Sequence, residues 1–439
     1  MSQPLRPAWY NNAFEDEPDL FVEAASTHDI AAAISYARKT GSSVAVRGTG
    51  HGIPGSSRGG VLVSTAHLRG VNIDSKRKIA SVQSGATWGD VIEAAAPFGL
   101  IPLSGSSPTV GVAGYLLEGG IGLLARRYGY TAARLVGAEV VTASGLTVTA
   151  DLDHNSDLLW ALRGGGGNFG VVWSLEVELV DHPEVFGGGF YYRKPHLRDA
   201  AHQWLDLTLE VSEDTTTSFA VVPFPDRPSV PHEVRGDYGG HARIAHVEAS
   251  DTASREPINT FRRATHPVLD TTGDLAWINS GSIYSDPLVP MGYVASNILV
   301  GGLGHSDIDR ILDLVGPGSL EGEMVTQINH LGGALQPRPE ALAAGRYGSE
   351  YLLRLLTRLR PLAGNTQAAD VVATHRRVFD AIGLNEIGVS LNFSLGVDLD
   401  SRQVENAYES EAYARLRAIK TDVDPGNIFR AYHNIEPFG

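Results

Sequence analysis

The sequence predicts an α+β protein, in which short strands and helices interleave early and strands alternate with helices through a longer middle part. Three observations carry this. EAASTHDIAAAISYARKTG (23–41) repeats Ile30, Ala33, Ile34 and Ala37 at helical spacing, with Ser26 or Thr27 to cap it and Gly41 to end it. SVAVRG, GVLVST and KIASVQSG are short runs rich in β-branched residues. AEVVTASGLTVTA (138–150) is a hairpin turning at Ser144-Gly145.

The remaining elements follow in order. SVAVRG runs as a strand into the glycine-rich loop VRGTGHGIPGSS (46–57). ATWGDVIEAAAPFGL is a helix ending at Gly99. SGSSPTVGVAGYLLEGGIGLLARRYG (104–129) has no clean period before LLARR and reads as a folded loop. Val110, Val112, Leu116, Leu117 and Ile121 are too apolar for a solvated loop, so it is expected to pack on a ligand. HNSDLLWALRGGGGNFGVVWSLEVELV (154–180) is a short helix, a glycine run and a strand. After Asp181 the composition shifts towards Pro, Arg and Thr, and a second domain begins. Within it, VSLNFSLGV (389–397) alternates as a strand, with Ser390, Asn392 and Ser394 on one face. The last segment reads as a helix broken at Asp424-Pro425. No repeat of 20 to 50 residues is present.

Bulk properties narrow the function. A chain of 439 residues exceeds one ordinary core, so two or three domains are expected. A net charge of −15 argues against nucleic acid or an anionic membrane as partner. The absence of cysteine excludes disulfides, thiolate metal sites and a cysteine nucleophile. MSQPLRPAWYNNAF has no basic segment followed by an apolar run, and no stretch reaches membrane-spanning length, so a cytoplasmic protein is expected.

Two glycine motifs carry the chemistry. In VRGTGHGIPGSS, glycine permits close backbone approach and His51 brings a nucleophilic, titratable ring, so the loop should lie against a ligand and hold it. Gly165, Gly167 and Gly170 satisfy G-x-G-x-x-G, but a helix precedes them and a strand follows. That is the reverse of a nicotinamide-binding Rossmann turn, which is therefore rejected.

Four segments in register, VRGTGH, SSPTVGVAGYLLEGGIGLLARRYG, DLLWALRGGGGNFGVV and DPGNIF…NI, resemble the FAD-linked oxidases of the vanillyl-alcohol oxidase superfamily. Within it the closest resemblance is to the bacterial berberine-bridge-enzyme-like group; INHLGGAL also looks like a strand of that family. The resemblance implies a two-part PCMH-type FAD-binding domain plus a substrate domain whose antiparallel sheet, backed by helices, roofs the flavin. The expected boundaries are 1–185 for the FAD-binding domain, 186–400 for the substrate domain, and 401–439 for a C-terminal segment returning to the first.

The resemblance also implies roles. Amides around Gly48, Thr49, Gly50 and Gly52 would form an anion nest for the FAD pyrophosphate, with Arg47 anchoring the loop. His51 would be bonded to the flavin 8α-methyl. Ser107 stands where relatives carry a second, cysteinyl link, so only the single histidyl bond is possible. Pro108, Val110, Gly111, Gly114, Gly120 and Gly122 would lie along the flavin and diphosphate. Gly167, Asn168, Phe169, Gly170, Val171 and Val172 would wrap the adenosine side, and Asn427 and Asn434 match tail residues near the cofactor.

Two departures stand out. Glu118 replaces a glycine common in relatives and is expected to point to solvent or to alter the loop. Ser390 replaces a tyrosine proposed as base, beside Asn392, and serine is a poor base unless activated. The proton acceptor is then sought in His330, Tyr432, Tyr115 or Tyr408. The expected activity is removal of hydride from an alcohol or amine carbon of a small molecule, a sugar or a secondary metabolite, with O2 reoxidising the flavin to give H2O2. The alternatives are a non-redox cyclase or isomerase on the same scaffold, favoured by loss of the tyrosine, and a decayed flavin-binding protein, hinted at by Glu118.

Overall fold

The computed structural model describes residues 9–228, 230–247, 252–316, 324–336, 340–396 and 398–439. The leader reading of residues 1–8 and the end of VSLNFSLGV at Val397 lie outside them. Thr27–Thr40 is helical, as its apolar spacing predicts. The Ser26 hydroxyl accepts from Asp29 N, and Gly41 closes the helix at φ 69°. Its buried face packs on a parallel sheet ordered Leu20–Glu23, Val61–Ser64, Val44–Arg47. A second sheet, antiparallel, holds Val71–Asp74, Ile79–Gln83, Val171–Glu178, Leu135–Val141 and Thr147–Ala150 in that spatial order.

Residues 104–129, expected as a loop, contain helices Val112–Leu117 and Ala125–Tyr128. The glycines that obscured the period terminate and join these short helices, while Val112, Leu116 and Leu117 fill the first core.

The middle of the chain builds a nine-stranded sheet. Its long strands run Val185–Arg193, Tyr238–Val247, Thr215–Pro223, Met324–His330, Tyr351–Leu359 and Gly292–Val300 in spatial order, each antiparallel to its neighbour. Strand alternation gives the sheet two chemistries. Phe190, Phe219, Ile244, Ile328 and Leu353 point to helices Leu197–Glu210, His305–Val315 and Gly364–Ile382 and share a core with Trp204, Ile308 and Phe379. The opposite face carries Tyr191, His241, Arg243, Gln327, Asn329 and Arg354 and roofs a cavity.

VSLNFSLGV is not the strand that its alternation predicts. Pairing breaks after Gly388, Leu391–Phe393 is a tight turn, and only a single bridge to Ala295 re-forms at Leu395. The cause is Asn297. Its side-chain amide takes Ser390 N at 2.8 Å and donates to Ser390 O at 2.9 Å, so a side chain supplies the bonds a neighbouring strand would have made.

The tail returns to the first part of the chain. Helix Ser410–Val423 puts Leu416 and Ile419 into the core that holds Leu158, Trp160 and Phe169. Ile428 and Phe429 join Ile30 and Val44, and Val44 N donates to Ile428 O at 2.8 Å. No described helix is long and apolar enough to cross a membrane.

Candidate active site

Between the polar sheet face and the glycine loops lies a cavity of about 1590 Å³. This exceeds the ~300–1,000 Å³ of an ordinary small-molecule site and leaves room for a dinucleotide and a second molecule. Its floor is Arg47 to Gly52, Ser107, Pro108, Val110, Gly111, Gly114, Gly122, Gly167, Asn168, Gly170 and Val172. Gly114 and Gly167 test whether a bound group fits. A Cβ at either would meet no protein atom within 4 Å. Protein packing therefore does not require glycine there, whereas a ring or phosphate lying flat on the floor does. Gly50, at φ 75°, bends the Thr49–His51 backbone along this floor.

Five of the residues assigned to the cofactor are not on the cavity wall. Phe169 and Val171 are buried in the cores beneath it. Gly120 N donates to Asn392 Oδ1 at 2.5 Å. Asn427 sits at φ 48° in the turn after Asp424, the ordinary use of an asparagine. Asn434 lies behind the floor, and Phe429, Ala431, Tyr432 and His433 are the tail residues that line the cavity.

His51 is built in from three sides. Its ring stacks on Tyr10 with centroids 3.6 Å apart, Nε2 is 2.9 Å from Thr109 Oγ1, and its carbonyl accepts from Tyr293 Oη at 2.7 Å. Thr109 Oγ1 is also 2.9 Å from Ser107 Oγ, so the serine joins the histidine through one hydroxyl. Burial pulls the imidazole down to about 3, and the ring is neutral with a lone pair on one nitrogen. Arg47, buried, pairs with Asp16, donates to Gly55 O at 2.7 Å and takes the Tyr432 hydroxyl at 3.0 Å, which ties the loop to the tail.

The residues sought as bases already have protein partners or lie off the wall. Arg126 Nη1 lies 2.8 Å from His330 Nε2; a guanidinium only donates, so that nitrogen's lone pair is used. Burial and then the Arg126 charge hold His330 down at about 3. Tyr432 accepts from Arg47 while burial raises its pKa, so it anchors the loop and keeps its proton. Tyr115 and Tyr408 are likewise pushed up by burial, and Tyr408 donates to Gly164 O at 3.0 Å. Ser390 is off the wall, clamped by Asn297. Asn392 reaches the wall but uses its amide on Gly120 N and, at 3.2 Å, Tyr115 O.

Glu118 corrects another expectation. It does not point to solvent; it lines the cavity, and burial lifts its carboxyl to about 8. Protonated, it brings no negative charge beside an anionic group. Relative to an exposed glutamate near 4.5, the folded chain binds the extra proton, so stability from this group is complete below about 4.5 and is lost as pH rises through about 8. Glu118→Gln is expected to flatten that fall in a thermal-melt series against pH, and an unchanged slope would count against a buried acid.

Reasoning from sequence missed Tyr10, Thr109 and Asp286. Thr109 was inside a quoted motif, whereas Tyr10 and Asp286 arrive from distant loops and left no signal in spacing.

A floor with open glycine positions, a neutral histidine and a separate polar roof fit a bound dinucleotide cofactor with a second molecule beside it. The comparisons agree. The model of the family described as FAD binding domain matches residues 18–151, and that described as berberine and berberine like matches 392–436. (R)-6-hydroxynicotine oxidase of Paenarthrobacter nicotinovorans is 28% identical over 448 residues, 96% of this chain and 92% of the relative. Among solved structures, 6-hydroxy-D-nicotine oxidase of Arthrobacter nicotinovorans superposes with a TM-score of 0.84 at 23% identity, covering 99% of this chain and 97% of that one. A chitooligosaccharide oxidase superposes at 0.83 and 21% identity, covering 98% and 94%. The chain therefore carries an FAD-binding domain and a berberine-like C-terminal segment on the PCMH-type fold that these solved structures share. It is an FAD-dependent oxidoreductase.

Proposed function

We propose that this protein oxidises an alcohol or amine carbon of a small organic molecule, with dioxygen as the final acceptor. Residues 1–185 and 401–439 hold FAD, and 186–400 close over the substrate. When bound, FAD accepts the hydride and passes the electron pair to O2, giving H2O2. The chain's own groups do the rest. The Gly48–Gly52 amides hold the pyrophosphate without arginine, and Gly114 and Gly167 let the cofactor lie against the backbone. His51 would hold the flavin covalently: its imidazole lone pair would replace one C–H bond of the 8α-methyl, the proton leaving to solvent and the electron pair passing through the ring to O2. The observation that carries this reading is the enclosed, neutral His51 ring, held by Tyr10, Thr109 and Tyr293 at the cavity wall.

The half-buried Asp286 carboxylate, reached by Ser106 Oγ at 2.5 Å, takes the substrate proton as hydride leaves. The roof sheet keeps bulk water from the reacting carbon.

Acid precipitation of the yellow protein is expected to leave flavin on the polypeptide, and His51→Ala is expected to release it to the supernatant. Complete release from the wild type would remove the covalent bond from this account. Peroxide formation across a panel of alcohols and amines tests the oxidase reaction itself.

A further inference from the structure

The roof holds more positive charge than its surroundings neutralise. Arg243 and Arg354 both face the cavity. Cross-strand register sets Arg354 opposite Gln327 and Asn297, and Arg243 opposite Ser218, which itself opposes Asn329. Arg243 Nε donates to His241 Nδ1 at 3.2 Å, Nη1 reaches Gln327 Oε1 at 3.3 Å, and the guanidinium lies 4.6 Å from the Tyr284 ring centroid. Arg354 is less satisfied. Its guanidinium lies 5.2 Å from the Phe393 ring centroid, its Nε is buried without a partner, and it has no hydrogen bond or ion pair among the described residues.

A guanidinium stays protonated even in such a place, so the charge must be met by something. Among the described residues, Asp286 is the carboxylate whose charge acts on both arginines. Two cations against one anion leave an excess of one. His51, His241 and His330 are all pulled down by burial and are neutral, and Glu118 keeps its proton. In our reading the pyrophosphate lies in the nest of the floor, whereas both arginines hang from the roof. Around them stand Tyr191, Tyr284, Tyr293, Leu356 and Phe393, which suit an aromatic or aliphatic body.

We propose that Arg243 and Arg354 bind the carboxylate of the substrate, which is a small organic acid oxidised at a carbon remote from that group. This rests on the flavin-oxidase reading above. Arg354, with its whole fork free, makes the paired contact, and Arg243, already held by His241 and Gln327, supplies the second charge.

The yellow holoenzyme is titrated with benzoate and phenylacetate and with their neutral amides, following the flavin absorbance and, in parallel, heat. The acids are expected to bind at least ~10-fold tighter than the amides. Arg354→Gln is expected to abolish that preference and leave amide binding alone, with Arg354→Lys intermediate because one charge remains without the fork. Equal binding of acid and amide by the wild type, no binding of either acid, or an Arg354→Gln variant with unchanged preference overturns the proposal. A variant that keeps the preference but shifts the flavin midpoint potential also overturns it, since the charge would then serve the ring. Peroxide formation from neutral substrates without preference for acids sinks this proposal alone; a preparation that cannot hold FAD sinks the oxidase reading with it.

Discussion

Asp286→Asn is expected to slow reduction of the flavin by substrate about 10²–10⁴-fold, the usual worth of a positioned proton acceptor. Among the described residues the cavity wall carries the carboxylates Glu93, Glu118 and Asp286. Glu93 is exposed, and Glu118 is held protonated by burial. The histidines of the wall are neutral, and the nitrogen of His330 that could accept is taken by Arg126. With the His51 lone pair assigned to the flavin, Asp286 is the carboxylate left in reach of the interior. Anaerobic stopped-flow reduction measures the effect, and reoxidation by O2 is expected to be unchanged because the proton is taken in the other half-reaction. A variant reduced at the wild-type rate would exclude Asp286 from the chemistry.

Lys420→Met is expected to cost about 3–5 kcal/mol of stability, the penalty for leaving a buried charge without its partner. The Lys420 ammonium is fully buried, 2.7 Å from Asp424 Oδ2, and also donates to Asn168 O at 2.8 Å and Phe429 O at 3.1 Å. Asp424 in turn accepts from the Ile428 and Phe429 amides. One ion pair therefore clamps the tail turn to the glycine run at Asn168. Urea unfolding measures the loss, and flavin retention should fall with it. Lys420→Met combined with Asp424→Leu should recover part of the stability, since no uncompensated charge remains. A single variant as stable as the wild type would mean that the clamp is dispensable.

Local chemistry was legible wherever it was written in neighbouring residues. Ser26, the Ile30–Ala37 spacing and Gly41 specify their helix without outside help. Ser144-Gly145 turns its hairpin, with Gly145 at φ 84°. The histidine loop was recognisable for the same reason: its glycines and its ring lie within a few residues. What could not be read depends on partners far along the chain. The alternation of Ser390 and Asn392 was a fair strand pattern until Asn297, 93 residues away for Ser390, replaced the missing ladder. His330 has a suitable intrinsic acidity for a base, and only Arg126, 204 residues distant, removes it. Glycine spacing hid Val112–Leu117 because short helices need tertiary packing more than propensity.

Because Leu416, Ile419, Ile428 and Phe429 complete cores begun by Ile30, Val44 and Leu158, the first part of this polypeptide is unfinished while the ribosome is still translating the rest. The half-built compartment must wait, with apolar surface uncovered, until the last stretch emerges. Insertion of the cofactor is thereby delayed until residues 410–429 have been made, and a chain lacking them would have its roof made and a floor that cannot close beneath it.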